Sequence, residues 1–198
     1  MKWSCRFLLL LTLVLSPMRG YSAGALCGDL FLEKPLVSTL AGVYMREAKV
    51  SDATEIEQFI IRMRSLLGVA PDTTADARPL FNDIHDFENS YKQNGRFYVL
   101  TDDDGKIIGT VGYFQLNNYV CELKKFYLDP SLQGRGAGKA FLNHIISKSK
   151  QMGFKKMILQ TNPSMAAAIG LYTKMGFTQF SSENSNNSAA YYELNLTP

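Results

Sequence analysis

Apolar positions recur along the chain with two different periods, and the switches between them lay out its elements. Ile56, Phe59, Ile60, Met63, Leu66 and Leu67 fall three and four residues apart, a spacing that gathers them on one face of a helix. Ser51-Asp52 supplies an N-cap pair for it and Gly68 a stop. The stretch 69–79 is polar and turn-rich, and Leu80 to Gln93 reads as a second helix ended by Asn94-Gly95. The period then shortens. Arg96 to Thr101 and Lys106 to Leu116 are aromatic and β-branched runs joined by Asp102-Asp103-Asp104-Gly105, which predicts a hairpin. Gly109 and Gly112 interrupt its second strand and mark a bulge or a close backbone approach.

Asn117-Asn118 turns the chain into a further strand, Cys121 to Leu128, followed by a turn at Asp129-Pro130. Helical spacing returns with Phe141, Leu142, Ile145, Ile146, Ser149 and Met152, Gly153 gives the stop, and Lys148 and Lys150 suit the last turns. Lys155 to Gln160 is a short buried-type strand, and Ser164 is placed to cap a helix running through Met175 to Gly176. Phe177 to Phe180 and Ala190 to Leu196 are two closing strands, separated by the polar run SSENSNNSA. A short strand from Val43 to Ala48 precedes the first helix. Strands interleaved with helices in this order indicate one α/β domain with a mixed sheet, assigned to residues 43–198.

At 198 residues the chain has room for one domain and an extension, since domains run to about 100–200 residues. The extension is at the front. Residues 1–25 pair a basic start (Lys2, Arg6) with an apolar run from Phe7 to Leu15 broken only by Thr12, then Ala23-Gly24-Ala25, the layout of a secretory signal peptide. That run is shorter than the ~20 residues of a spanning helix, so no stable membrane span is expected. Residues 26–42 read as a linker. The protein is then expected to be exported; the alternative is a cytoplasmic protein whose true start is Met18 or Met45.

Removing Lys2, Arg6 and Arg19 with the leader leaves 18 basic against 18 acidic residues, and a neutral chain gives no case for nucleic acid. Cys5 goes with the leader, Cys27 is in the linker and Cys121 in a strand, so no disulfide framework is expected. His85 and His144 lack partners at metal-ligand or nucleophile spacing and are assigned to surface or helix-edge positions. The triple Asp lacks the glycine and distal glutamate of a calcium loop. No metal is expected. Asp83, Asp86 and Glu88 could attract a cationic amine, but the simpler expectation is a solvated helix face.

The candidate chemistry is concentrated in Gln133-Gly134-Arg135-Gly136-Ala137-Gly138-Lys139, a glycine-rich lead into a helix. Free amides at a helix start bind anions, and glycines let an anion approach them. Two phosphate loops fail. A Walker A loop would need glycine at Gln133 and Ser or Thr at Ala140, and the dinucleotide fingerprint would need its last glycine at Lys139. The stretch instead fits Q-x-x-G-x-G/A and resembles the acetyl-CoA pyrophosphate loop of the GCN5-related N-acetyltransferase (GNAT) family. Ala168 to Phe177 resembles that family's A-x-x-L-Y-x-x-x-G-F segment, and the likeness covers roughly Val43 to Leu196.

The resemblance implies a GNAT-type α/β fold with a mixed, mainly antiparallel central sheet flanked by helices. It implies acetyl-CoA as donor and an amine, on a small molecule or a peptide, as acceptor, by direct transfer in a ternary complex. The amides of Gly134 to Gly138 would take the pyrophosphate, with charge from Arg135 and Lys139. The backbone of Tyr127 and Leu128 would lie along the pantetheine and polarise the thioester. Tyr172 would be the general acid to the departing sulfur, although its periodicity alone reads as a core aromatic. Glu122 would be the general base, or else an ion-pair partner of Lys124 and Lys125. Many family members carry an asparagine where Met165 stands. The alternative function is a non-catalytic acyl-CoA-binding module or sensor on the same fold. No motif names the acceptor or the oligomeric state.

Overall fold

A computed structural model describes residues 40–68, 81–91, 95–181 and 189–197. The leader, most of the linker, the stretch 69–80 and residues 182–188 lie outside the described residues. The strands are β1 (Tyr44–Glu47), β2 (Arg96–Thr101), β3 (Ile107–Gln115), β4 (Val120–Leu128), β5 (Lys156–Thr161), β6 (Thr178–Phe180) and β7 (Ala190–Asn195). They form one seven-stranded sheet in the order β1-β2-β3-β4-β5-β7-β6. Every pairing is antiparallel except β4 with β5. The sheet is therefore mixed and mainly antiparallel, as the resemblance implies.

Helices cover both faces because the strands alternate between two cores. On β2, Tyr98 and Leu100 join one buried cluster while Phe97 and Val99 join the other. The first cluster takes Phe141, Leu142 and Ile145 from α4 (Ala137–Gln151) and Tyr172 from α5 (Ala166–Lys174). The second takes Ile56, Phe59, Ile60 and Met63 from α1 (Ala53–Leu66), Ile84 from α2 (Asn82–His85) and Phe87 from α3 (Phe87–Ser90). Burial of a side chain of this size is worth about 1.5–3 kcal/mol, so the two apolar faces fix which side of the sheet each helix takes.

The hairpin forms as expected: Asp102 Oδ1 accepts from the Asp104 and Lys106 amides, and Gly105 turns the chain with φ of +80°. Gly109 and Gly112 are close approaches. A Cβ at Gly112 would stand 2.6 Å from Phe97 Cδ2, and one at Gly109 2.9 Å from Leu128 Cδ2.

Three local expectations are corrected. Of the single helix expected over Leu80 to Gln93, residues 81–91 are described and form two one-turn helices, because Asp86 leaves helical geometry at φ −124°, ψ 52°; Leu80, Lys92 and Gln93 lie outside the described residues. Asp52 does not cap α1; its carboxylate turns back to the Lys49 amide (2.7 Å) and to Arg46 (2.6 and 3.0 Å). Ser164 is not the cap of α5, which begins after Met165, and its own amide donates to Asn162 Oδ1 at 2.9 Å. At Asp52 a short polar side chain thus bonds local partners in place of the helix end.

Candidate functional site

Strands β4 and β5 run together only at their starts. Val120 to Leu123 pair with Lys156 to Leu159 in parallel register, and from Lys124 onward β4 has no partner on that side among the described residues. On its other side β4 stays paired with β3 as far as Leu128. The result is an open strand edge along Phe126, Tyr127 and Leu128, directly before the glycine loop.

A bulge accompanies the divergence. Thr110 faces Tyr127 and Gly112 faces Lys124, so two residues of β4 share one position of β3. The extra residue is accommodated at Lys125, whose φ of +53° is the only positive value at a non-glycine among the described residues. Such a conformation is strained for an L side chain by about 1–3 kcal/mol. Thr110 Oγ1 pins it by donating to the Lys125 carbonyl at 2.8 Å. Because the bulge breaks alternation, Glu122, Lys124, Lys125 and Tyr127 all contact the α1–α3 side, while Phe126 and Leu128 pack on the α4–α5 side.

Glu122 is the acidic member of this face. Its side chain is 17% exposed, and Oε2 lies 3.7 Å from Lys124 Nζ, which also sits 4.5 Å from the Phe114 ring centre. Burial raises the Glu122 carboxyl above its ordinary value, and Lys124 and Lys125 only partly offset the rise. A half-buried carboxylate so tuned holds a proton more readily than a surface one. It is an ion-pair partner of Lys124.

On the other side of the open edge, Tyr172 is 5% exposed and packed among Phe126, Phe177 and Tyr192, with ring centres 6.3, 5.8 and 6.4 Å away. The core-aromatic reading holds, and its hydroxyl has no hydrogen-bond partner among the described residues. Burial, and after it the neighbouring Tyr127, raises that hydroxyl well above the ordinary tyrosine value. The phenol keeps its proton at neutral pH.

The loop itself starts from a turn, Pro130 to Leu132, closed by Asp129 accepting from the Ser131 amide at 3.0 Å. Gly134 and Gly136 have φ of +72° and +79° with open space around their Cα atoms. Ala140 is the first residue of α4 whose amide bonds back into the helix, to Gly136 at 3.0 Å. The amides of Ala137, Gly138 and Lys139 precede it at the positive end of the helix dipole. Gln133, Arg135 and Lys139 are exposed beside them and Ala137 is buried beneath. This arrangement fits an anion of the pyrophosphate class. Gly138 differs from its neighbours, since a Cβ there would lie 3.2 Å from both Leu128 Cδ1 and Leu171 Cδ2. It lets α4 settle against β4 and α5.

The 118 residues from 60 to 177 match the model of the acetyltransferase (GNAT) family. The chain belongs to that family. It is 29% identical over 139 residues to the uncharacterized N-acetyltransferase YjgM of Escherichia coli, covering 67% of this chain and 80% of that protein. It is 26% identical over 104 residues to human N-acetyltransferase 8B, of which it spans 46%. The fold of this GNAT chain matches a GNAT acetyltransferase of Staphylococcus aureus with a TM-score of 0.69 at 23% identity, over 78% of this chain and 99% of that one. It also matches the yncA protein of Salmonella typhimurium, solved with its cofactor acetyl-CoA, with a TM-score of 0.61 at 19% identity over 79% and 95% of the two chains.

Other candidates resolve differently. Cys121 is buried, and burial pushes its thiol up to about 11, which removes it as a nucleophile. His85 is on the surface beside Glu57 at 2.8 Å. His144 is at the helix edge as expected: half-buried on α4, it packs edge-on against Tyr98 with ring centres 5.3 Å apart, and its Nε2 has no partner among the described residues. Asp83 is a correction. It is no solvated face, for both its oxygens accept from Lys125 Nζ at 2.7 and 2.8 Å, and the Tyr91 hydroxyl donates to it. The contact of Asp83 with Lys125 and Tyr91 escaped the sequence reading; two successive lysines in an alternating strand were the available sign of the bulge.

Proposed function

We propose that the chain transfers an acetyl group from acetyl-CoA to a primary amine, directly and without an acyl-enzyme. The observation that carries this reading is the open β4 edge, with the free amides of α4 at one end, Glu122 on one side and Tyr172 on the other. Gly134 to Gly138 hold the pyrophosphate through backbone N–H groups, and Arg135 and Lys139 add charge. The backbone of Tyr127 and Leu128, along the edge that β5 leaves open, aligns the thioester and polarises its carbonyl, a contribution of about 3 kcal/mol for one such donor.

Glu122 takes a proton from the incoming ammonium, which frees the nitrogen lone pair. The carbon–nitrogen bond forms as the carbon–sulfur bond breaks, Tyr172 gives its proton to the departing sulfur, and the nitrogen's surplus proton leaves to solvent; transfer of the Glu122 proton back to the Tyr172 oxygen through solvent restores both groups. Family membership and N-acetyltransferase relatives support the reaction class. The raised Glu122 value brings that carboxyl nearer neutrality and suits a base, and Tyr172 is read as the acid from its place beside the open edge.

The test has two stages. Acetyl-CoA at a hundredfold excess over its Kd stabilises the full chain by about 2.7 kcal/mol, which moves its Tm by about 5–10 °C at ~2–4 °C per kcal/mol. A panel of polyamines, amino acids and peptide N-termini is then assayed for release of the coenzyme A thiol. Binding without turnover on any amine would favour the acyl-CoA-binding module instead.

A further inference from the structure

Three ion pairs line β4 and the residue after it on the α1–α3 side, and each matches one acid with one base. Arg62 of α1 reaches Asp129 at 3.3 Å, Lys125 holds Asp83 of α2 at 2.7 Å, and Lys124 faces Glu122 at 3.7 Å. Together these groups leave no surplus negative charge to draw in a polycation. The pairs differ in how firmly they are closed. The first two are hydrogen-bonded, whereas the third, at 3.7 Å, is longer than an ordinary hydrogen bond between nitrogen and oxygen. Lys124 is also 39% exposed, against 9% for Lys125. The loosest pair is the one that contains the carboxylate read as the base.

The strand fixes how the two members of that pair stand. Glu122 and Lys124 alternate ahead of the bulge and so point to one face, and Phe114, opposite Glu122 in the β3–β4 register, shares it. Lys124 Nζ sits 4.5 Å from the Phe114 ring centre, a cation–π contact that keeps the ammonium in place when Glu122 turns to another cation. An amine that reaches Glu122 therefore arrives beside a seated positive charge. A simple cationic amine is repelled there. An amine with an anionic group next to it is not, because its ammonium meets Glu122 while its anion meets Lys124, and four charges alternate around a closed ring. In an α-amino acid the nitrogen and a carboxylate oxygen are about 2.7–3.5 Å apart. With a hydrogen bond of about 2.9 Å at each end, that zwitterion closes the ring on the 3.7 Å between Glu122 Oε2 and Lys124 Nζ. A peptide N-terminus would offer Lys124 only a neutral carbonyl, and a polyamine only more positive charge.

We propose that Lys124 is a specificity-determining residue that selects free α-amino acids as acceptors, binding the carboxylate while Glu122 receives the ammonium. The proposal rests on the reading of Glu122 as the base of an amine acetyltransferase and names the acceptor class of that same site. Phe114 serves by seating the lysine.

The test compares matched acceptors on the full chain saturated with coenzyme A, where no acetyl group is present to transfer. Alanine, leucine, phenylalanine, glutamate and lysine are each titrated by calorimetry beside their α-amides and their decarboxylated amines, at a pH where every amine is protonated. At least one amino acid is expected to bind about 10–100-fold more tightly than its amide and its amine, the equivalent of one hydrogen bond between charged groups. That ratio is expected to collapse in Lys124→Met and to return in large part in Lys124→Arg. A structural loss weakens all three ligands of a set alike and leaves the ratio unmoved, so the ratio isolates the contact with the carboxylate. No preference for any amino acid in the wild-type chain, or a preference that survives in Lys124→Met, would overturn the inference. The reaction is read separately: amino-acid binding with no release of the coenzyme A thiol from acetyl-CoA would overturn acetyl transfer, and the binding ratio would still decide what Lys124 selects.

Discussion

A Cβ placed on Gly138 would stand 3.2 Å from Leu171 Cδ2, so the phosphate-loop helix and the helix of Tyr172 meet with no spare room. Gly136, two residues earlier, has open space but φ of +79°. The two glycines are needed for different reasons. Gly138→Ala should therefore lower Tm and disturb Leu171 and Leu128. Gly136→Ala should cost about 1 kcal/mol of backbone strain and weaken acetyl-CoA binding as the amides lose their aim. Thermal melts with and without acetyl-CoA separate the two effects.

Tyr172→Phe removes a hydroxyl with no described partner and keeps the ring among Phe126, Phe177 and Tyr192. Stability should change by less than about 1 kcal/mol, since no buried hydrogen bond is broken. Turnover should fall by about 10²-fold or more, as expected for loss of a general acid, with acetyl-CoA affinity nearly unchanged. Steady-state kinetics beside a binding titration checks this, and equal turnover would remove Tyr172 as the acid.

Glu122 is raised by burial, so its basic form is present above that raised value and disappears as pH falls through it. The wild-type kcat/KM should lose activity along that acid limb. Glu122→Gln should reduce the rate by about 10²-fold near neutrality and flatten the limb. A limb that survives in the variant would assign Glu122 to ion pairing alone.

Burial pushes the Asp52 carboxyl up, but Arg46 and the Lys49 amide outweigh it and leave it below its ordinary value. A depressed carboxylate adds stability that is complete above its unfolded value, about 3.9, and is lost as pH falls through the lower folded value. Asp52→Asn should cost about 1.5–3 kcal/mol near neutrality. The gap to wild type should close in acid. Urea midpoints between pH 7 and pH 3 measure it.

The strands were legible because their apolar alternation is what the two cores require, and their bounds in the structure differ from the sequence reading by a residue or two. The long helices followed from faces such as Phe141, Leu142 and Ile145. The short α2 and α3 were not separable, since Ile84 and Phe87 fit one helical face and only the Asp86 backbone divides them. At the site, the glycine loop could be read because helix starts and positive φ leave a compositional trace. The Asp83–Lys125 clamp left none. It depends on a bulge that brings residues 42 apart in the chain into contact, and charge spacing along a sequence does not carry that.

The gap between β4 and β5 beyond Leu123 and Leu159 has a further consequence. A strand with one side unpaired keeps amides in exchange with water that a completed sheet would protect. On the proposed function, the fold is an unfinished sheet whose missing strand would arrive from solution. Hydrogen–deuterium exchange over Phe126 to Leu128 would then slow when the donor binds and recover when it leaves, so one short peptide could report occupancy before any acceptor is known.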